Sequence, residues 1–212
     1  YQMFLEFCNY NKTYSDTHKE QIAEVFAAID DSFDGVAVSL NILRQISDLL
    51  RDIPISISTT TDFPQGRGDK KLRMHETVIG LKSGANKIDL VANPFLVDDG
   101  RFYDFCKDIK SHKRVCDDYG ADLRVIINHN LYSLRKNISI ARMVEDAGAS
   151  FIIPAAGFHN DDIYDNILTC NAIESHTSIK TVCNGYIWLE KQYLAAIKAD
   201  IFGLRLYNLH RF

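Results

Sequence analysis

Two positions apart in the stretch NKIDLVANP stand Lys87 and Asp89, an amine and a carboxylate on one short apolar run. Side chains alternate across a strand, so the two point to the same face. The run DLRVIINHN repeats the pattern, with Arg124, Ile126 and Asn128 on one face and His129 just after them. A histidine titrates near neutral pH and a carboxylate can take or return a proton, so Asp89, His129 and His159 are the acid and base candidates for proton transfer on a small carbonyl compound. The same groups can also serve structure alone, as a buried ion-pair and hydrogen-bond network. Buried charges are costly unless paired, so a core that gathers Lys, Asp, Arg and Asn is also a candidate functional site. Cys183 stands at a strand end and could act as a nucleophile, although buried structural cysteine is the commoner state. No HxH, HExxH or carboxylate cluster occurs at ligand spacing, so neither a metal nor another cofactor is expected.

These residues need elements to hold them. Short β-branched runs recur along the chain: MFLEF, DGVAVS, PISISTTT, NKIDLVA, DLRVIINH, SFIIPA, IKTVCN and DIFGLR. Stretches with helical spacing lie between them, the first opening on a Thr-x-x-Glu capping box at Thr17 and Glu20. Eight strands with seven intervening helices imply an α/β protein with a parallel sheet. Repeats of roughly 26 residues favour a single (β/α)8 TIM barrel spanning 1–212 over an open doubly wound sheet. No GxGxxG or Walker-type loop follows the first strand, which also argues against a dinucleotide fold. In such barrels the chemistry sits at the strand C-termini and the loops beyond them. That rule points to STTTDFPQG, KIDLVANP, VIINHNLYS, IIPAAGFHND, VCNGY and FGLR.

The bulk composition narrows the partners. A net charge of −4 and 24 Lys and Arg residues without a dominating cluster leave no phosphate-backbone footprint, so nucleic acid is not expected. No apolar run approaches the length of a membrane span, and the opening residues lack the order of a signal peptide. Five widely spaced cysteines without a CxxC pair fit a reducing, cytoplasmic setting. The Arg67-Gly68-Asp69 triplet is read as part of a polar loop before a helix, not as an adhesion signal.

Four segments in order resemble the deoxyribose-phosphate aldolase family, a class I aldolase barrel. STTTDFPQG resembles that family's third-strand segment, and HETVIGLKSGANKIDLV its Glu-Thr helix and the strand bearing an inward Asp. LRVIINHNL is similar to its fifth strand, and GASFIIPAAG to its sixth. The resemblance implies reversible cleavage of 2-deoxyribose 5-phosphate into acetaldehyde and glyceraldehyde 3-phosphate through a lysine Schiff base. It also places Ile153 at the imine-forming position, and isoleucine has no amine. The family's second lysine segment falls on Cys183, Asn184 and Gly185, and Lys180 stands too early on its strand to replace that lysine.

The resemblance maps Asp89 to the proton-relay acid, while Asn128 replaces a glutamate and His129 a threonine. Gly157 and Gly203 match glycines of the phosphate loops, Arg205 and Leu206 replace paired serines, and Phe158 replaces a lysine. Arg205 could supply the lost donors, because a guanidinium forks onto phosphate oxygens. Asn128, Gly157, His159, Asn184, Gly185, Gly203 and Arg205 are thus the expected binding positions, with Asp89, Lys87 and His129 the catalytic ones. Lys87 stands where the family usually has glutamate. It is either a charge-compensating exchange or a relocated amine lying roughly 6 to 7 Å deeper than Asp89. Three functions follow: an aldolase-type lyase, a lysine-independent lyase or isomerase using Asp89, His129 and His159, or a non-catalytic homologue. The expected partner is a small phosphosugar or aldehyde, and the expected assembly a homodimer.

Overall fold

In the computed structural model, residues 3–10, 17–158 and 162–209 are described. The chain alternates β1 (Phe4–Cys8), α1 (His18–Asp30), β2 (Gly35–Ala37), α2 (Leu40–Leu49), β3 (Ser56–Thr61), α3 (Lys70–Lys82) and β4 (Lys87–Val91). Two helices follow, α4 (Pro94–Asp98) and α5 (Phe102–Asp118), and then β5 (Asp122–Ile126), α6 (Leu134–Asp146) and β6 (Phe151–Ile153). The last units are α7 (Ile163–His176), β7 (Lys180–Gly185), α8 (Glu190–Lys198) and β8 (Gly203–Leu206). All neighbouring strands are parallel and β8 pairs with β1, so the sheet closes in sequence order into the expected (β/α)8 barrel.

The seven expected helices are present, with α4 as an addition between β4 and β5. It has only five residues, too few to reveal a 3.6-residue period, and is set instead by Pro94 in its first turn and by the Asn93 side chain accepting from the Phe95 N–H. The Thr17 capping box closes as expected: Glu20 N–H donates to Thr17 Oγ1 at 3.2 Å and Thr17 N–H to Glu20 Oε2 at 2.6 Å. Arg67-Gly68-Asp69 lies in the loop before α3, where Asp69 caps the helix by accepting from the Lys71 N–H.

Closure divides the apolar residues into cores of different size. The large one lies between the sheet and the helices, where outward strand residues such as Val36, Ile88, Leu90, Leu123, Val125 and Leu204 meet the helices' apolar stripes. Inside the barrel are a cluster of Val91, Ile126, Ile153, Ala156 and Val182 and a smaller one of Cys8, Ala37 and Tyr207. Charged side chains occupy the space between them. No helix among the described residues is long and apolar enough to cross a membrane.

Candidate active site

Four ions meet inside the barrel. Glu6 of β1, Asp89 of β4, Arg124 of β5 and Arg205 of β8 each have 0% exposure. Strand register creates half of the contacts: Glu6 is laterally paired with Arg205, and Asp89 with Arg124. Arg205 Nε donates to Glu6 Oε2 at 2.7 Å, and Arg124 donates to both oxygens of Asp89 at 2.6 and 3.0 Å. The other half crosses the barrel. Arg124 Nη1 reaches Glu6 at 3.0 and 3.1 Å, and Arg205 Nη2 reaches Asp89 Oδ2 at 2.6 Å.

Two carboxylates and two guanidinium ions cancel formally, the condition under which charges tolerate a dry interior. Burial alone would raise the Glu6 pKa, but Arg124, Arg205 and the Ser58 hydroxyl at 2.8 Å hold it down to about 2. Burial works against the charge on both arginines, yet Asp89 and Glu6 raise them above their ordinary value. Tyr10 adds an upper contact: its phenol accepts from Arg205 and donates to Asp89 Oδ2 at 3.4 Å. Burial pushes that phenol well above its usual range.

Ile153 is fully buried in the inner apolar cluster. Above the charges, aromatic rings fill the C-terminal mouth. Tyr10 packs on Phe63 at 4.8 Å, Phe63 on Phe158 at 5.4 Å, and Tyr207 on Tyr186 at 5.1 Å. Asn184 Nδ2 donates to the Ala155 carbonyl at 2.9 Å and to the Tyr207 hydroxyl. Asn128 adopts a left-handed backbone, φ 49°, and its Oδ1 accepts from Ala156 N–H at 2.8 Å, which ties the β5 loop to the end of β6. Gly157 also has positive φ, 88°, and a Cβ there would come within 3.0 Å of the Tyr207 hydroxyl. Asn128, Gly157, Asn184 and Arg205 therefore gather at one end of the barrel, above or within the ion cluster.

Other nominated residues lie elsewhere. Lys87 begins β4, two residues below Asp89, with Nζ 3.6 Å from Asp122 and 5.8 Å from the Phe4 ring, at the N-terminal end of the barrel. Gly203 begins β8 at that same end, where a Cβ would press on Phe4 at 3.1 Å. His129 faces out of the barrel wall: its Nε2 pairs with Asn166 at 2.7 Å and its Nδ1 with Thr169 at 3.1 Å, both on α7. Gly185 ends β7 against Ile163. Cys183 is buried in the outer core, its thiol pushed well above the ordinary value by burial and the neighbouring Cys170. His159 lies outside the described residues. Among the described residues no group of three or more His, Cys, Asp or Glu is placed to hold a metal ion.

Sequence reasoning passed over two participants. Glu6 sits in MFLEF with the inward alternation of Phe4 and Cys8, so a charge in mid-strand was the available signal. The second is a separate network outside the barrel. Arg73 of α3 bonds Asp62, the Gly66 and Val91 carbonyls and Asp108 of α5, while buried His112 pairs through Nδ1 with Thr77 at 2.9 Å. Helical spacing gave no hint of it.

No family model matches the chain. It is 28% identical over 148 residues to a deoxyribose-phosphate aldolase of Metamycoplasma hominis, covering 70% of this chain and 67% of that one. To the enzyme of that name from Mycoplasmoides pirum it is 28% identical over 183 residues, 80% of each chain. The tetrameric deoxyribose phosphate aldolase of Aeropyrum pernix superposes with a TM-score of 0.84 at 16% identity, over 95% of this chain and 84% of that one. The superposition establishes the fold, and the sequence relatives, matching over most of the chain, support a barrel of the deoxyribose-phosphate aldolase family.

Proposed function

We propose that the chain is a non-catalytic member of the family, an aldolase barrel in which a closed, self-neutralising ion cluster occupies the reaction site. The carrying observation is that Glu6, Asp89, Arg124 and Arg205 are wholly buried and bonded to one another. Imine formation needs an unprotonated amine beside a space for the carbonyl carbon. The position that the resemblance equates with the imine-forming lysine holds Ile153, packed among apolar side chains. Lys87 is separated from the C-terminal mouth by the ion cluster, and its ammonium faces Asp122. Arg205 gives its Nε and both Nη groups to Glu6, Tyr10 and Asp89, which leaves its fork unavailable to a phosphate without breaking the cluster.

A direct test follows acetaldehyde release from 2-deoxyribose 5-phosphate. The proposal expects no release above a heat-denatured control, and sustained turnover would overturn it. Calorimetric titration with the same compound asks whether the phosphosugar class is still bound at the mouth. Self-association also belongs to the proposal, supported by the tetrameric relative and by exposed Phe158, Tyr186 and Trp188 beside the mouth. Light scattering of the purified chain measures it.

A second reading has one observation in its favour. Tyr10 is only half-buried and touches Asp89, so its phenol links the mouth to an interior carboxylate. A lyase or isomerase of that kind would need Asp89 as base and Tyr10 as proton carrier. His129 faces away from this site. If Tyr10→Phe removed an activity found by substrate screening while leaving the fold unchanged, this reading would displace the first.

A further inference from the structure

A cleft of about 240 Å³ opens between the N-terminal halves of α3 and α5, beside α4 and away from the barrel interior. Lys70, Arg101 and Lys107 stand around it, Arg73 and Asp108 lie on its buried side, and Asp104 completes the charged set. Both acids are already committed. Asp104 accepts from Arg101 at 2.7 Å, and Asp108 from Arg73 at 2.7 Å. Neither Lys70 nor Lys107 is paired with a carboxylate among the described residues, so the cleft keeps uncompensated positive charge.

Two independent features point to what would satisfy it. Arg73 is 2% exposed, and its Nη groups are fully used by Asp62, Asp108 and the Gly66 and Val91 carbonyls, yet its Nε has no hydrogen-bond partner. A buried donor left unpaired is costly, and a guanidinium donor prefers an anionic oxygen. Second, α5 is a 17-residue helix whose N-cap, Arg101, makes no side-chain capping bond, so its first-turn N–H groups are available beside the cleft. A long helix also presents positive potential at that end.

We infer that this cleft binds a phosphate group, the terminal phosphate of a small phosphorylated metabolite, with Lys70 and Lys107 closing on it and the Arg73 Nε as its buried donor. A phosphate suits the cleft better than a carboxylate does because its oxygens can meet the separate donors of Lys70, Lys107 and Arg73 at once, and the cleft's size admits the phosphate with a small organic body. The site is separate from the barrel mouth, so it can hold whether or not the interior cluster does chemistry.

Titration of the full chain with inorganic phosphate, followed by calorimetry and by the shift in melting temperature, tests it. Saturable binding is expected, weakened about tenfold or more in the Lys70→Glu, Lys107→Glu double variant, whose positions are exposed and whose fold is checked by circular dichroism. Glycerol 1-phosphate should compete with inorganic phosphate for the same site. Absence of saturable binding overturns the inference, as does binding of unchanged strength in the double variant, which would put the ion elsewhere.

Discussion

Removing the Glu6 carboxylate leaves two guanidinium ions facing one aspartate inside the barrel. Breaking a buried ion cluster on one side costs about 3–5 kcal/mol, because the remaining charge is stranded. Glu6→Gln should therefore lower the unfolding free energy, read from the urea transition, by that much, and pairing it with Arg205→Met should recover part of the loss, since apolar replacement of a whole ion pair is often neutral. Acid should act through the same residue. Glu6 has its pKa lowered in the fold to about 2, so its contribution is complete above its ordinary value of 4.5 and is lost as pH falls from there towards 2. Burial lowers His112 to about 4 from 6.5, so a second loss sets in earlier, as pH falls from 6.5 towards 4. Each window is worth on the order of 3 kcal/mol. Urea unfolding followed from pH 7 to pH 3 should show both, and His112→Gln should abolish the upper one alone. Asp89 and Arg124 were legible in the sequence as charges on inward faces. His112 was not, because a histidine buried beneath a helix has the same helical spacing as one exposed on its surface.

At the scale of elements, alternation tells which way a side chain points but not how far along the barrel axis it sits. Lys87 and Asp89 share a face, and so do Gly203 and Arg205, yet only the second of each pair joins the ion cluster. Depth is set by the stagger of strands that closure imposes, and no local pattern carries it. The type and order of each strand and long helix were readable from periodicity, although β2, β5 and β6 are shorter than the runs that announced them, whereas α4 was too short to announce itself. The loop after β6 has its own constraint. Gly157 adopts φ 88° with the Tyr207 hydroxyl close to where a Cβ would stand, so Gly157→Ala combines backbone strain with a clash. It should destabilise the chain by about 1–3 kcal/mol, read from thermal unfolding. Gly120→Ala, at φ 66° with nothing within 4 Å of the added methyl, should cost less because only the strain remains. His129, which the sequence offered as a base, instead ties the turn after β5 to α7. His129→Ala should cost about 1–3 kcal/mol by leaving the buried polar groups of Asn166 and Thr169 unpaired.

For the whole molecule, the barrel shares the architecture of the aldolases it resembles, and a closed, buried ion cluster holds its centre. The helices are held to the sheet by the large outer core, so the interior can change composition without loss of the fold. The ion cluster ties β1 and β8, where the barrel closes, to β4 and β5 on the far side. Aromatic rings at the C-terminal mouth exclude water from it, which strengthens each charge contact. Alternation of the apolar runs gave the order of strands, and the resemblance the position of Ile153. What filled the space around that residue depended on Glu6 and on rings from the segments after five different strands, a result of tertiary packing. The most direct measurement is borohydride reduction of the chain in the presence of 2-deoxyribose 5-phosphate, followed by intact-mass determination. An unchanged mass is predicted, and a reduced sugar adduct on one lysine at near-stoichiometric yield would contradict the account.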